Sequence, residues 1–392
     1  MPRRESCDVL VHGAGMTGLA VALLLAEAGL KVIVVSRQRP EPWRDGDYRQ
    51  RVIAVNRETE ALLTRLGVWD AVRDTRAAPV RAIEAVDALG GGRVRFDAAD
   101  LGEPHLAHIV ENALVESRLG ERLGTAGVNL ISPDAIAGWR PEDGGLELRL
   151  DGGRRLRARL LVGADGADSP VRAMAGIRVD DQRYGQRGLV TAVATEQSHG
   201  AVARQRFLAG GPLALLPLAD GRCSVVWSLP DVEARALEQA PAEELREALE
   251  VASAGWLGRV ESVTAAALFP LRRLHARRYV AERVVLLGDA AHVIHPLAGQ
   301  GANLGFRDAA ELGQRIIDAA AAGRDPGGWS VLRRYERARR GDNLLMQTAM
   351  DLFHHGFTRS GPLLVAARSA GFDVTDRVAP LRRLFMRRAM GG

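Results

Sequence analysis

Apolar positions along the chain follow two periods, and each change of period marks an element. Asp8-Val-Leu-Val-His12 is an apolar strand, and Gly13-Ala-Gly-Met-Thr-Gly18 is a glycine turn. The residues to about Ala28 then keep an apolar helical pattern that Gly29 closes. Lys31-Val-Ile-Val-Val35 is a second strand. Strand, turn, helix, strand is a βαβ unit, which predicts a parallel sheet with helices on its faces. Ala61–Val72 and Glu111–Leu123 read as further helices. Leu146–Leu150 and Leu156–Val162 read as strands that turn at Asp151-Gly-Gly153.

From about Gln182 to Phe269 the pattern changes. Short strand-like runs at Gly188–Ala194, Leu213–Leu218 and Cys223–Leu229 surround one helical stretch, Pro241–Ala254. A short buried strand, Val284–Leu287, then leads into a Gly-rich loop and a helix from about Asn303 to Ala322. Trp329 to Met390 is mostly helical and rich in arginine. The predicted fold is α/β: a Rossmann-like domain interrupted by a smaller mixed or antiparallel sheet domain, with a helical C-terminal region. Residues 1–75, 98–181 and 270–328 are assigned to the first domain, 76–97 and 182–269 to the second, and 329–392 to the tail.

Composition narrows the class. The chain has 392 residues, 47% hydrophobic and 26% charged, which excludes disorder, collagen-like repeats and fibrous coiled coils. No apolar run reaches the roughly 18 residues of a membrane span. The apolar stretch after basic Met1–Ser6 holds Asp8, His12 and two glycines, unlike a secretory signal. Cys7 and Cys223 lack disulfide-framework or metal-ligand spacing, so a reducing cytoplasm is expected. The net charge is +5, and the tail from Arg359 carries seven arginines against Asp373 and Asp376. The body is therefore neutral, which argues against nucleic acid as a partner.

Three motifs carry chemistry. In Gly13-x-Gly15-x-x-Gly18 the glycines permit a tight turn, close approach of a diphosphate and close helix–strand packing. The free N–H groups at the helix start, from Met16 and Thr17 onward, suit an anion. Gly163-Ala-Asp-Gly-Ala-Asp-Ser-Pro-Val-Arg172 follows an apolar strand, and so does Gly288-Asp-Ala-Ala-His-Val-Ile-His-Pro-Leu-Ala-Gly-Gln-Gly-Ala-Asn303. Asp165 and Asp289 thus stand at strand carboxyl ends, where open α/β sheets bind ligands.

In this order and at these separations, the three motifs resemble those of the FAD-dependent aromatic monooxygenases, the para-hydroxybenzoate hydroxylase-like superfamily. Gly288–Asp308 looks like the ubiquinone-biosynthesis hydroxylases within it. Arg51-Val-Ile-Ala-Val-Asn, Leu66-Gly-Val-Trp69, His108-Ile-Val-Glu-Asn112 and Tyr335-Glu-Arg-Ala-Arg-Arg-Gly-Asp-Asn343 agree. The resemblance implies FAD as cofactor, NAD(P)H and O2 as co-substrates, and an aromatic substrate, here a polyprenylated phenol of ubiquinone biosynthesis. It also implies a flavin C4a-hydroperoxide whose distal oxygen the phenol ring attacks. Gly13, Gly15 and Gly18 would meet the diphosphate, with Arg51 approaching it from a loop. Asp165 would shape the cofactor and nicotinamide site, and Asp289 would bind the ribityl or diphosphate region. Pro296, Gly299, Gln300, Gly301, Ala302 and Asn303 would line the flavin ring. No residue is singled out as a catalytic base.

One position departs from the family. Its second strand usually ends in Glu, which holds the adenosine ribose, whereas here Ser36 stands there, followed by Arg37 and Arg39. Losing a charged hydrogen bond for a neutral one weakens binding by roughly tenfold. A small polar residue plus arginine is also how related sites accept an NADP 2′-phosphate. A hydroxylase of a soluble phenol or secondary metabolite, and a non-catalytic scaffold, are the competing readings. His292 and His295 lie in a Pro/Gly loop without a third ligand, so flavin-loop packing is preferred over a metal. No Gly-x-Ser-x-Gly elbow occurs. Flavin halogenases are set aside because no Trp-x-Trp is present and Lys31 is misplaced. In the tail, Val378, Leu381, Leu384 and Phe385 fall at helical spacing among arginines, although Arg388 intrudes. Attachment to a membrane surface or to a biosynthetic complex is left open.

Overall fold

A computed structural model describes residues 5–46, 48, 51–294, 301–358 and 361–390. The unbroken apolar run Val32–Val35 is buried at every position and lies inside an eight-stranded sheet. The order of its main path is Val280–Ala281, Val284–Leu286, Arg155–Gly163, Glu5–His12, Val32–Val35 and Asn129–Ile131. Glu5–His12 pairs in parallel with a neighbour on each side, and the outer pairs Val32–Val35 with Asn129–Ile131 and Arg155–Gly163 with Val284–Leu286 are parallel too. Antiparallel pairing enters at Val280–Ala281 and in the strands Ile136–Glu142 and Gly145–Leu150 beside Arg155–Gly163. Helix Met16–Glu27 is apolar on all sides because it is enclosed, with Gly18 through Leu25 buried. Helix Gly301–Ala321 lies across it, Gly313 meeting Leu24.

The strand order decides where a ligand can sit. From Glu5–His12 the chain first extends the sheet one way and later the other, so the order reverses beside this strand. The carboxyl ends are level there: His12 stands opposite Val35 and Gly163, and Gly163 opposite Leu286. All three motif loops therefore leave the sheet at one edge, where ligands bind in this architecture.

A second sheet has nine strands, all antiparallel except the pair Ala82–Asp87 and Val202–Leu208. Helices Asp231–Gln239 and Ala242–Ser253 cover one face over Leu189, Leu213, Val225 and Trp227. A three-stranded sheet of Val52–Asn56, Ala107–Glu111 and Ala78–Val80 joins the two, packing Val80 and Ile109 against Ala192, Ala203 and Leu218.

Three expectations change in detail. Ala61–Val72 is not one helix but parts of two, Arg57–Arg65 and Trp69–Arg76. Gly67, at φ +67°, ends the first, and the apolar pattern runs across the break and hides it. Glu111 closes a strand, and its helix begins at Asn112. The expected limits Gln182 and Phe269 fall inside strands, because Val179–Thr195 and Ala267–Ala276 pair out to Val179 opposite Ala276. Their Arg- and Asp-rich ends lack the apolar signal of the middle.

The arginine-rich tail forms helices Trp329–Thr358, Pro362–Arg377 and Ala379–Met390. Helix Pro362–Arg377 covers the edge strand Arg93–Asp97, whose unpaired N–H groups would otherwise invite another strand. Asp373 accepts from Arg93 N at 3.3 Å and Asp376 from Arg95 N at 2.9 Å. Arg368 clamps the buried Asp87 at 2.7 and 3.0 Å. Helix Ala379–Met390 buries Met386 against Ala98 and Leu106. No described helix is long and apolar enough to cross a membrane.

Candidate functional site

The first loop begins where strand Glu5–His12 ends. Gly13 has φ +116°, and a Cβ there would lie 2.2 Å from Ala164 O, so both conformation and crowding require glycine. That crowding is the contact between the first and second motif loops. Gly18 is as tightly placed, since a Cβ on it would lie 2.2 Å from Gly13 O. Gly15 is different: it starts the helix in extended conformation, with no side-chain cap and open space beside it. Met16 and Thr17 thus begin a helix whose first N–H groups are available to an anion. Thr17 also touches the third motif, where a Cβ on Gly288 would lie 3.0 Å from its Oγ1.

Asp165 does not reach outward as expected but ties a knot behind the loops. It accepts from Val171 N at 3.0 Å and from Ser169 Oγ, and lies 3.2 Å from His12 Nδ1. Burial pushes its carboxyl up, yet the His12, Ser169 and Val171 contacts outweigh burial and hold it below the usual range. Arg172, also buried, donates to Ala167 O at 2.8 Å and Ala290 O at 2.9 Å, fastening the second loop to the third.

The third loop is anchored by Asp308, which is sealed from solvent. Its carboxylate takes Gly288 N at 3.1 Å, Arg339 Nε at 2.9 Å, Asn343 Nδ2 at 3.1 Å, and His292. Burial raises this carboxyl, and the charges of His292 and Arg339 overcome that and lower it. Tyr335, from the same helix as Arg339 and Asn343, donates to Leu286 O at 3.0 Å. One face of that helix therefore grips the strand end and loop of the third motif, which explains Tyr335 to Asn343 as a motif. His292 serves this knot, and among the described residues it belongs to no metal-type cluster.

Asp289 is exposed, and no described residue bonds to its carboxylate. It is nonetheless set among enough protein that burial raises its carboxyl, against the pull of His292, Arg51 and Arg272. A carboxylate both reachable and enclosed lines a cleft. Arg51 faces the same cleft and lies over the Phe269 ring at 5.3 Å. Asn303 is turned away from it: its amide donates to Ala54 O at 2.8 Å and accepts from Thr59 Oγ1 at 2.8 Å and Asn56 N at 3.3 Å. Gly301, Ala302 and Asn303 begin helix Gly301–Ala321. Pro296, Gly299 and Gln300 lie outside the described residues.

At the adenosine end, Ser36 is nearly buried and its hydroxyl accepts from Gln38 N at 3.4 Å. Its carbonyl accepts from Asp134 N at 3.0 Å, and Asp134 Oδ1 accepts from Ala135 N and Gly152 N. Arg37 is exposed.

An uncapped helix start, an enclosed carboxylate opposite an arginine, and three loops fastened at one sheet edge fit a flavin dinucleotide. A family model of the FAD binding domain matches residues 6–347. The chain belongs to that family, and it is a FAD-dependent monooxygenase. It is 38% identical to the 3-demethoxyubiquinol 3-hydroxylase of Escherichia coli, over 99% of both chains. It is 37% identical to the ubiquinone hydroxylase UbiL of Rhodospirillum rubrum, over 98% of this chain and 89% of that one. Among solved structures it superposes on a probable FAD-dependent monooxygenase of Pseudomonas aeruginosa with TM-score 0.79 and 25% identity, covering 94% and 99% of the two chains. The fold is shared with the p-nitrophenol 4-monooxygenase of Pseudomonas putida, with TM-score 0.78 and 22% identity over 99% of each.

His12, Arg172, Asp308 and Arg339 are the residues that motif reading overlooked. Arg172, Asp308 and Arg339 lie inside the motif stretches and His12 ends an apolar strand, but nothing local in the sequence shows what each of them holds. Ser36 supplies a direct test of the adenosine end. The Ser36→Glu variant should bind FAD about tenfold more tightly, because a charged hydrogen bond exceeds a neutral one by about 1.4 kcal/mol. Titration of apoprotein followed by flavin fluorescence measures this, and unchanged or weaker binding would refute it.

Proposed function

We propose that this enzyme hydroxylates the aromatic ring of a polyprenylated phenol in ubiquinone biosynthesis, using O2 and electrons from NAD(P)H. The observation that carries the proposal is the meeting of three loops at the carboxyl edge of the parallel sheet, in a chain alike over nearly its whole length to ubiquinone hydroxylases.

In this proposal the backbone from Gly13 to Gly18, with Met16 and Thr17 at the helix start, holds the FAD diphosphate. Arg51 neutralises it from the other side of the cleft, and Asp289 accepts from the ribityl chain. Ser36 and Arg37 take the adenosine end. Pro296 and Gly299 to Asn303 present backbone to the flavin ring. Asp165 and Asp308 act at one remove, holding loops rather than ligand. The bound flavin supplies oxygen activation, and the protein's part is to orient the phenol and exclude water. Residues 1–75, 98–181 and 270–328 would form the FAD-binding part, 76–97 and 182–269 the substrate-binding part, and 329–392 the helical tail.

The tail supports a membrane-surface location for this substrate. Val374, Val378, Leu384 and Phe385 are 51%, 42%, 59% and 47% exposed. Arg377, Arg383 and Arg387 are exposed too. Both acids of this region, Asp373 and Asp376, bond instead to the sheet edge. The faces turned from the sheet are thus apolar and basic, the chemistry of an anionic lipid surface.

Two measurements test these readings. NAD(P)H-dependent O2 uptake should be stimulated by a lipid extract containing prenylated phenols, which gain one oxygen atom. Turnover of simple phenols alone would favour the soluble-phenol reading, and a colourless protein that takes up no FAD would favour a scaffold. Separately, the protein should sediment with vesicles containing anionic lipid and not with neutral ones, and Leu384→Asp with Phe385→Asp should abolish this. Equal sedimentation of the double variant would contradict the tail's role.

A further inference from the structure

Three side chains that the flavin site does not use converge on the outer side of the small three-stranded sheet. Glu60 comes from helix Arg57–Arg65, His108 from strand Ala107–Glu111, and His105 from the turn before that strand. His105 Nε2 lies 2.9 Å from Glu60 Oε2, and His108 Nδ1 lies 3.7 Å from the same oxygen. All three atoms lie within 4.8 Å of one another. Both imidazoles are buried, with ring centres 4.1 Å apart, and Trp69 packs edge-on against His108 at 5.2 Å.

The hydrogen bonding of this group does not close. His108 Nδ1 is sealed from solvent without a bonding partner. His105 Nε2 faces a carboxylate oxygen and the Arg57 Nη1 donor, each at 2.9 Å. One ring nitrogen cannot donate to the first while accepting from the second. Arg57 Nη1 also lies 3.3 Å from both Glu60 oxygens, so a guanidinium now supplies the positive charge beside this carboxylate, and His108 Nδ1 still stands 3.7 Å from it. A single cation at its centre would satisfy all three atoms.

We infer that Glu60, His105 and His108 form a binding site for a divalent transition-metal ion of the zinc class. With bonds of about 2.0–2.1 Å in tetrahedral geometry, neighbouring donor atoms stand about 3.3 Å apart, which the observed 2.9 and 3.7 Å bracket. Two histidines and a glutamate leave a fourth position for water. Arg57 now covers that side, and it is the competitor: its guanidinium takes the place of the ion. To make way it gives up its 3.3 Å contacts with Glu60, and its side chain, 34% exposed, keeps a partner in Glu103, 3.3 Å from its Nη2. A bound ion would tie helix Arg57–Arg65 to the sheet. Thr59 of that helix, with Asn56 that caps it, holds Asn303 at the start of the flavin-loop helix.

The test uses untagged, FAD-loaded protein stripped with a chelator, with Zn2+ followed by calorimetry and Co2+ by its visible absorption. The wild type should take up one equivalent of either ion. His108→Phe, which keeps a ring against Trp69, should weaken binding at least 100-fold, and Arg57→Gln should strengthen it several-fold. Flavin content and circular dichroism report whether each variant folds, and His105→Leu replaces His108→Phe if it does not. Absence of Co2+ bands and Zn2+ heat in the wild type would overturn the inference, as would equal binding by the histidine variants.

Discussion

Asp308 is a carboxylate withdrawn from water and surrounded by four donors, and the flavin site depends on it. Burying such a charge costs several kcal/mol unless it is paired and its lone pairs are filled. Gly288 N, His292, Arg339 and Asn343 meet that condition from one loop and one helix separated along the chain. Removing one partner from an ion pair this deep costs about 3–5 kcal/mol, a large share of a domain's net stability. Energy of that size explains why the third loop leaves the sheet in one defined direction. It also ties the long C-terminal helix beginning at Trp329 to the third motif loop.

The same logic recurs at the second loop. Asp165 and Arg172 spend their charges inside the protein, on His12, Ser169, Val171 and backbone carbonyls, rather than on a ligand. The surface left to the cofactor is therefore mostly backbone and glycine, with Arg51 and Asp289 as the charged groups facing the cleft.

Much of this was readable along the chain, and the boundary of legibility has a physical cause. The βαβ unit, the three loops and the late helix are encoded in local periodicity and turn chemistry, which act over a few residues. The break at Gly67 was hidden because Leu66, Val68 and Trp69 keep the apolar pattern across it. The strands Arg93–Asp97 and Val202–Leu208 carry alternating charges, and they become strands through partners far away in sequence. Asp165 and Asn303 stand in two of the motif stretches, and the protein contacts their side chains make were not legible, because long-range packing decides them. Arg339 and Asp308, 31 positions apart, gave no sign that they would meet.

The central claim is that the Asp308 knot, rather than direct contact with ligand, holds the flavin site in shape. The most direct measurement is the FAD affinity of the Asp308→Asn variant, taken with circular dichroism to establish that the chain is folded. Asparagine keeps the size and can still accept from Gly288 N, but it loses the charge that pairs with Arg339 and His292. The account predicts a folded protein whose FAD dissociation constant rises at least tenfold. A folded variant that holds FAD as tightly as the wild type would contradict it.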